Sequence, residues 1–304
     1  MFLSRIYFYG ENSVFVSGNR LLSDLSPVKS DQHQQQRQRE TQDLAPKVKE
    51  TIDKVGVSGL KAALKLRTSS KGREEHFLAD IDLFIDLDTE KKGIHMSRLV
   101  ESINEVISKR SEETKESFEG IGKDILSELQ ERHHYQKGEI TMRTTILLRR
   151  HTPVTGKPTD EPYDIGVRVT LDGKKFTKNL QVKAIGNTLC PHSLETTHGK
   201  AHVQRAEIEL SIETAAEEKI MLEELIGICE NSFSSPTYTV LKTVDEAALV
   251  EEMFRNPKFV EDVARDCFKQ TRNLNFKGKV KIRVVSLESI HKHNAVSEIE
   301  RVLN

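Results

Sequence analysis

The chain has few cysteines, no long apolar run and no excess of charge of either sign, and each absence excludes a class of protein. Three cysteines among 304 residues are too few for a disulfide framework, which favours a reducing, cytoplasmic location. No apolar run approaches the roughly 18 residues that a membrane-spanning helix needs. A formal net charge of -1 gives no overall attraction to nucleic acid. We therefore expect a cytoplasmic globular protein with neither a membrane nor a nucleic acid as partner.

Three common catalytic signatures are also missing. The segment Gly156-Lys157-Pro158-Thr159 lacks the upstream glycine of a phosphate-binding loop, and its proline stands where that loop needs a helix. The sequence contains no Gly-x-Ser-x-Gly nucleophile elbow and no Cys-x-x-Cys pair. Without a phosphate-binding loop, a polyanionic substrate would have to be bound by lysine and arginine side chains near the site.

Strands and helices follow one another in blocks after a polar segment at residues 31–42, which reads as a flexible linker. Apolar residues alternate with polar ones from Phe77 to Leu87, the pattern of a strand with one wet face. Helical spacing covers about 96–132, as one long helix or two abutting helices. Two strands are predicted near 139–150 and 164–185, the second divided by a hairpin turn at Leu171-Asp172-Gly173-Lys174.

The second half of the chain repeats this order. We expect a strand over 205–212, helices at about 215–231, 245–255 and 258–273, and a last strand over 280–284. Such an order predicts an α+β fold with antiparallel sheets and helices packed on one face. The expected organisation is an extension at 1–45 and two similar halves, 46–185 and 186–304, with the second half carrying a metal site.

Cys190 and His202 are the first candidates for chemistry. A thiolate and an imidazole at this separation can share one transition metal only if the intervening loop folds back. His192 and His198 lie in the same segment, and Gly186-Asn187-Thr188 before it offers the backbone freedom for a sharp turn. Taken singly, a cysteine or a histidine is more often structural, so the prediction of a metal loop depends on the grouping.

The remaining candidates are ambiguous by themselves. Glu246 follows Asp245 and Glu261 precedes Asp262, and each acidic pair equally well favours the positive start of a helix. His291 and His293 follow a strand end, where functional groups and solvated loops are both common. The segment Gly93–Arg98 ends a strand and opens a helix, so it is either a phosphate site or an ordinary turn.

Ordered motifs along the chain resemble those of one enzyme family, the type IB GTP cyclohydrolases and their archaeal relatives of the MptA kind, which share the tunnelling fold. The resemblance runs from about Val55 to His293 and leaves residues 1 to about 45 outside. Its motifs are Val55-Gly56-Val57, Lys92–Arg98, Thr152–Gly156, Leu189–Ser193, Ala201–Arg205, Tyr238–Glu246, Asn256–Asp262 and Glu288–His291.

The resemblance implies roles for particular residues. Cys190, His202 and Glu246 would be metal ligands, with His291 as a further ligand in some metal states. Glu261 would anchor guanine, since a carboxylate can accept two parallel hydrogen bonds from its N1–H and N2 amino edge.

His192 departs from the family, which usually has a second cysteine there, so ligand, acid and bystander all remain open for it. The catalytic set is then Cys190, His192, His202 and Glu261. Arg98, Arg205 and Lys242 are the candidates for holding the triphosphate.

The implied reaction is hydrolytic opening of the guanine imidazole ring of GTP, with formate released and a dihydropterin formed. One divalent metal in each site, Fe(II) first and Mn(II) or Zn(II) as alternatives, would lower the pKa of bound water toward about 7. A nearby imidazole, His192 or His291, would carry a proton to the departing nitrogen.

The product and the competing classes stay open at this point. The sequence favours the MptA-like product, 7,8-dihydroneopterin 2',3'-cyclic phosphate, as a first step toward a pterin cofactor such as tetrahydromethanopterin. The alternative is 7,8-dihydroneopterin triphosphate for folate synthesis. A tunnelling-fold nitrile reductase, with Cys190 as nucleophile and no metal, and a purine-binding protein without catalysis are more distant. The fold also implies a homodimer or homotetramer with a shared barrel and sites at subunit interfaces.

Overall fold

One antiparallel sheet dominates the computed structural model, which describes residues 41–67, 74–110 and 117–304. Eight of its strands follow in the order β1-β2-β3-β4-β5-β6-β8-β9, and the short β7 pairs with β5. The strands are β1 (Ile52–Arg67), β2 (Glu74–Leu87), β3 (Lys137–His151), β4 (Pro158–Asp172), β5 (Lys175–Leu189), β6 (Val203–Ala215), β7 (Ser235–Pro236), β8 (Gly278–Ser286) and β9 (Ala295–Leu303). The predicted α+β class with antiparallel strands is therefore confirmed.

Six helices accompany the sheet in the described part of the chain. They are α1 (Met96–Arg110), α2 (Phe118–His133), α3 (Pro191–Thr196), α4 (Leu222–Ser232), α5 (Thr243–Arg255) and α6 (Val260–Arg272). The α1 and α2 helices and the α4 and α6 helices pack their apolar stripes onto the sheet, and their buried side chains join those of the strands in one core. Ser117 begins α2 by accepting a hydrogen bond from the Gly120 amide.

The other face of the sheet is polar, because side chains alternate between its two faces. Ion pairs cross neighbouring strands there, at 2.6 to 3.0 Å: Lys61–Asp80, Arg143–Asp82, Lys183–Glu207 and Arg283–Glu298. None of the helices that the structure describes is long and apolar enough to cross a membrane.

The order of elements occurs twice. A first repeat comprises β1, β2, α1, α2, β3 and β4, and a second comprises β5, β6, α4, α5, α6, β8 and β9, with α3 inserted between β5 and β6. The boundary expected at residues 185 and 186 falls inside β5. The division into halves 46–185 and 186–304 stays a prediction, and the expected extension at 1–45 lies outside the described residues except for its last five.

Several local expectations are confirmed and others are wrong. The helical region at 96–132 consists of two helices, and the hairpin turn is at Gly173, whose φ of +61° suits glycine. The helix expected from 215 begins at Leu222 because β6 continues to Ala215, and β4 begins six residues before the expected 164. The sequence analysis missed β1, β9 and α3.

The sharp turn expected at Gly186-Asn187-Thr188 does not exist, since these residues continue β5. Gly186 is required for packing instead. A Cβ there would lie 2.2 Å from the ring of Phe233, which is 2% exposed. The chain turns only after Leu189, where α3 begins.

Candidate active site

The loop between Cys190 and His202 folds back on itself, as their pairing required. The Cys190 amide donates to the His202 carbonyl at 3.2 Å, which closes the loop at its base. Inside the loop, Ser193 Oγ donates to the Cys190 carbonyl and accepts from the His202 amide at 3.4 Å. Two consecutive left-handed residues, His198 and Gly199, reverse the chain after α3. The thiol and the imidazole therefore come from adjacent ends of one closed loop.

The orientation of the His202 ring is fixed by its neighbours. Its Nδ1 lies 2.7 Å from Oε1 of Gln204, while Nε2 of Gln204 donates to Thr188 Oγ1 at 3.0 Å. An amide oxygen can only accept, so Nδ1 carries a proton, and in the neutral ring Nε2 of His202 keeps its lone pair. Glu288 lies 3.9 Å from the same Nδ1. This arrangement is typical of a histidine that is prepared to bind a metal through Nε2.

The segment that carries Glu261 is joined by a backbone hydrogen bond to the residue before the Cys190 loop. The Lys258 amide donates to the carbonyl of Leu189 at 3.1 Å, three residues before Glu261 in the chain. Asp262, rather than Glu261, caps α6, because its Oδ2 accepts from the Phe259 amide at 3.2 Å. Glu261 is exposed in the first turn of the helix, and its carboxylate is not the one that caps this helix.

The segment that carries His291 is anchored beside His202. The Leu287 amide donates to the carbonyl of Arg205 at 2.8 Å, and Glu288 follows at once. The His291 ring stacks on that of His293, with centroids 5.1 Å apart and planes inclined by 6°. Both rings are exposed in the connection between β8 and β9.

Glu246 stands in the first turn of α5, where Asp245 is the capping group. Asp245 is fully buried, and its carboxylate accepts from the amides of Val154 and Thr155, both at 2.9 Å. Burial raises the pKa of the Asp245 carboxyl, but these bonds and those from the Thr155 hydroxyl and the Lys242 amide outweigh it and hold the pKa well below its usual value. Glu246 itself is exposed.

The predicted metal ligands do not form a complete group within the described part of one chain. Within residues 41–67, 74–110 and 117–304, no three His, Cys, Asp or Glu side chains form a group that could hold a metal ion. Cys190 and His202 fit a transition metal by their donor atoms, a thiolate sulfur and an imidazole nitrogen. Glu246 and His291 as further ligands stay predictions.

The predicted phosphate cations and His192 are spread over the molecule. Arg205 is the third residue of β6, which follows the Cys190 loop, and Lys242 immediately precedes α5. Arg98 is in the first turn of α1, which packs on β1 at an outer edge of the sheet, four strands away from β5. His192 is exposed on α3. Arg98 therefore belongs to a different region of the single chain.

Three buried or half-buried polar residues of this region were missed by the sequence analysis: Gln204, Glu288 and Glu161. Glu161 had a detectable signal, because it occupies the inward phase of β4 together with Tyr163 and Ile165, where apolar residues are expected. Gln204 likewise takes an inward position at the start of β6. Glu288 carries no comparable signal.

Comparisons with known proteins agree with this fold. The fold resembles that of uricase from Arthrobacter globiformis, with a TM-score of 0.54 and 7% identity over 83% of this chain and 93% of that one. That likeness supports a tunnelling-fold-like α+β architecture and concerns the fold alone. Residues 39–297 match the family model described as Type I GTP cyclohydrolase folE2. The chain belongs to this family of enzymes.

Individual members of this family differ in how similar they are to the chain. GTP cyclohydrolase MptA of Thermococcus kodakarensis is 47% identical over 265 residues, which cover 85% of this chain and 98% of the relative. MptA of Pyrococcus furiosus is also 47% identical, over 86% of this chain and 98% of the relative. GTP cyclohydrolase FolE2 of Thermotoga maritima is 34% identical over 82% of this chain and 92% of the relative. The resemblance drawn from the motifs is confirmed.

Proposed function

We propose that the chain is a metal-dependent GTP cyclohydrolase of the MptA kind, which opens the guanine imidazole ring of GTP and releases formate. The observation that carries the proposal is the closed loop that places Cys190 next to a His202 ring whose Nε2 is available. Membership of the GTP cyclohydrolase family supplies the substrate class. Identity of 47% with MptA of Thermococcus kodakarensis and of Pyrococcus furiosus, against 33–36% with the FolE2 relatives, favours the cyclic phosphate product, although MptA of Methanothermobacter thermautotrophicus is 30% identical.

Each residue of the site has a part in this reaction. Cys190 and His202, with Glu246 and in some states His291, would hold a divalent metal, Fe(II) first and Mn(II) or Zn(II) as alternatives. Such an ion, when bound, supplies Lewis acidity and lowers the pKa of water toward about 7. Glu261 holds the N1–H and N2 edge of guanine and so sets the position of C8.

Proton transfer and phosphate binding fall to the remaining side chains. The imidazole of His192 or His291 gives a proton to the departing ring nitrogen, which leaves more readily as a neutral amine. Arg205, Lys242 and Arg98 neutralise the triphosphate. Closure of the cyclic phosphate needs attack of a neighbouring hydroxyl on the innermost phosphorus, with diphosphate as the leaving group.

We also propose a homodimer or homotetramer with a shared barrel and with sites at the subunit interfaces. Two observations support it: the ligand group is incomplete among the described residues of one chain, and Arg98 lies four strands from β5. A second copy could bring the missing groups. A cytoplasmic location agrees with three free cysteines.

The test is anaerobic incubation of the protein with GTP and Fe(II), Mn(II) or Zn(II), followed by mass analysis of the pterin and assays of formate and diphosphate. Formate and diphosphate in equal amounts are expected. Formate without diphosphate would indicate the triphosphate product and contradict the MptA assignment.

Two further outcomes would overturn the reaction itself. An enzyme that remains fully active after its metal is chelated, and that oxidises NADPH, would be a nitrile reductase instead. Binding of GTP without formate, with every metal, would indicate a protein that only binds purines.

A further inference from the structure

A buried carboxylate on β4 holds the segment that leads into α5. Glu161 is 6% exposed, and both of its oxygens accept from the Thr239 amide, at 2.9 and 3.0 Å. The Thr239 hydroxyl donates to the same carboxylate at 2.7 Å, and the Thr159 hydroxyl donates at 2.7 Å from within β4. Glu161 therefore fixes both the backbone and the side chain of Thr239.

A second buried carboxylate makes the reciprocal contact. Asp245, on α5, accepts from the amides of Val154 and Thr155 and from the Thr155 hydroxyl at 2.7 Å, all in the turn between β3 and β4. That turn is itself closed, because the Thr152 amide donates to the Lys157 carbonyl at 3.0 Å. Glu161, on β4, thus binds the segment before α5, and Asp245, on α5, binds the turn between β3 and β4.

We call Glu161 and Asp245 the carboxylate latch. Between its two points of attachment lie residues 239–245, which contain Lys242 and end directly before Glu246. Buried carboxylates lose hydration, and their partners here are amides and hydroxyls. Apolar residues in their place would leave the amides of Val154, Thr155 and Thr239 without these acceptors, so the acids fix the backbone of both segments as well as filling space.

We propose that Glu161 and Asp245 are positioning residues that hold residues 239–246 in one conformation, from which the proposed homo-oligomer brings Glu246 to the metal and Lys242 to the phosphates. The inference rests on the proposed function, in which Glu246 is a ligand. The partners of both carboxylates are amides and hydroxyls of the chain itself, so each acts through the backbone that it holds. Asp245 caps α5, so the exposed Glu246 is not needed for that role.

The first experiment compares Glu161→Gln with Glu230→Gln. Gln keeps the shape of Glu161 but turns an NH₂ group toward one of the N–H and O–H donors. Glu230 is the control, because it is a half-buried glutamate whose hydrogen-bond partners are Arg150, at 2.9 Å, and Tyr163 rather than groups of residues 239–246. Affinity for Co(II) is measured by titration, together with the thiolate-to-cobalt absorption and the melting temperature.

We expect Glu161→Gln to weaken Co(II) binding by about 10- to 100-fold and to change the cobalt spectrum. Glu230→Gln lowers the melting temperature without altering either the affinity or the spectrum. A Glu161→Gln protein that melts lower but binds Co(II) with the spectrum and affinity of the wild type overturns the inference. If Glu161→Gln does not fold, Thr239→Val removes one donor from the same carboxylate, and the expected change is smaller but has the same sign.

Glu246→Ala separates this inference from the proposed function. Loss of Co(II) affinity in Glu246→Ala but not in Glu161→Gln overturns the latch and leaves the ligand assignment intact. Unchanged affinity in Glu246→Ala overturns both the ligand assignment and the latch. Absence of formate from the wild-type protein, with metal binding that still depends on Glu161, overturns the reaction and retains the latch.

Discussion

The two repeats of the sheet have the same order of elements but bury different kinds of side chain. In the first repeat, the described residues before Thr152 bury only two polar side chains, Ser102 and Thr141. Three more, Thr152, Thr159 and Glu161, lie in the turn between β3 and β4 and at the start of β4, while the second repeat buries ten polar side chains, among them Gln204 and Asp245. Apart from the start of β4, the first repeat therefore serves mainly as an apolar support, and the second repeat holds more polar groups in fixed places.

The largest expected effect distinguishes two cysteines of the second repeat. Cys190→Ala removes a predicted ligand, and we expect formate release to fall by more than about 100-fold, since even residues that only orient ligands cost 10- to 100-fold. Cys229→Ala is the control. Cys229 is fully buried, and burial raises the pKa of its thiol, which disfavours the thiolate form that a metal ligand needs. Equal losses in both variants would show that Cys190 is structural.

Glu261→Gln tests the carboxylate that precedes the capping Asp262. We expect kcat/KM for GTP to fall by about 100-fold, and the preference for GTP over inosine triphosphate, which lacks the N2 amino group, to disappear. Glu251→Gln, which breaks only a surface pair with Arg255 at 2.6 Å, should leave both quantities unchanged. A Glu261→Gln enzyme that still discriminates would exclude this residue as the guanine anchor.

Gln204→Leu tests whether the second repeat orients the His202 ring. Loss of the amide leaves Nδ1 without its acceptor, so metal affinity should fall by about 10- to 100-fold. Gln181→Leu is the matched control, because Gln181 bonds to Glu209 on the open face of the sheet. Metal titration with both variants measures the difference. Similar affinities would mean that Glu288 alone orients His202.

Glycine substitutions test whether the two repeats pack equally tightly. A Cβ at Gly186 would lie 2.2 Å from Phe233, and one at Gly122 would lie 2.8 Å from Val169. We expect Gly186→Ala to destabilise the protein by about 1–3 kcal/mol and Gly122→Ala by less. Gly227→Ala, on α4 with open space around it, should be neutral or stabilising by up to about 1 kcal/mol. The free energies of unfolding of the three variants are measured by urea denaturation.

The smallest effect concerns Asp82, on the wet face of the first repeat. Hydrogen bonding from Ser58, followed by that from Arg143 and the Gly59 amide, lowers its pKa to about 2 against the burial that raises it. Because the folded pKa lies below the unfolded one, Asp82 stabilises the protein above about pH 4, and this contribution is lost as pH falls toward about 2.

Asp82→Asn should therefore be less stable at neutral pH by no more than about 1 kcal/mol, since the pair is screened by solvent. The difference from the wild type should vanish near pH 2. Asp80→Asn, which loses only the surface pair with Lys61, is the control. A gap that persists at pH 2 would assign the effect to packing rather than to charge.

The elements of the fold differ in how well the sequence predicted them. The strand from Phe77 to Leu87 and the two helices at 96–132 were found because each buries one face, and a buried face leaves a periodic trace in the sequence. The edge strand β9 was missed because it is only half-buried. The interpretation of Gly186 as a turn was wrong, since the sequence does not reveal Phe233 packed against it.

The amino-acid sequence by itself determined the α+β class and, through its ordered motifs, the cyclohydrolase family, because periodicity and motif order are local properties of a chain. Only the tertiary structure decided that the Cys190 loop closes on His202, that Gln204 fixes the ring, and that Glu161 and Asp245 hold the approach to Glu246. These contacts join residues up to 91 positions apart, such as Val154 and Asp245. Burial and hydrogen-bond geometry select such partners in space, and no spacing along the chain encodes them.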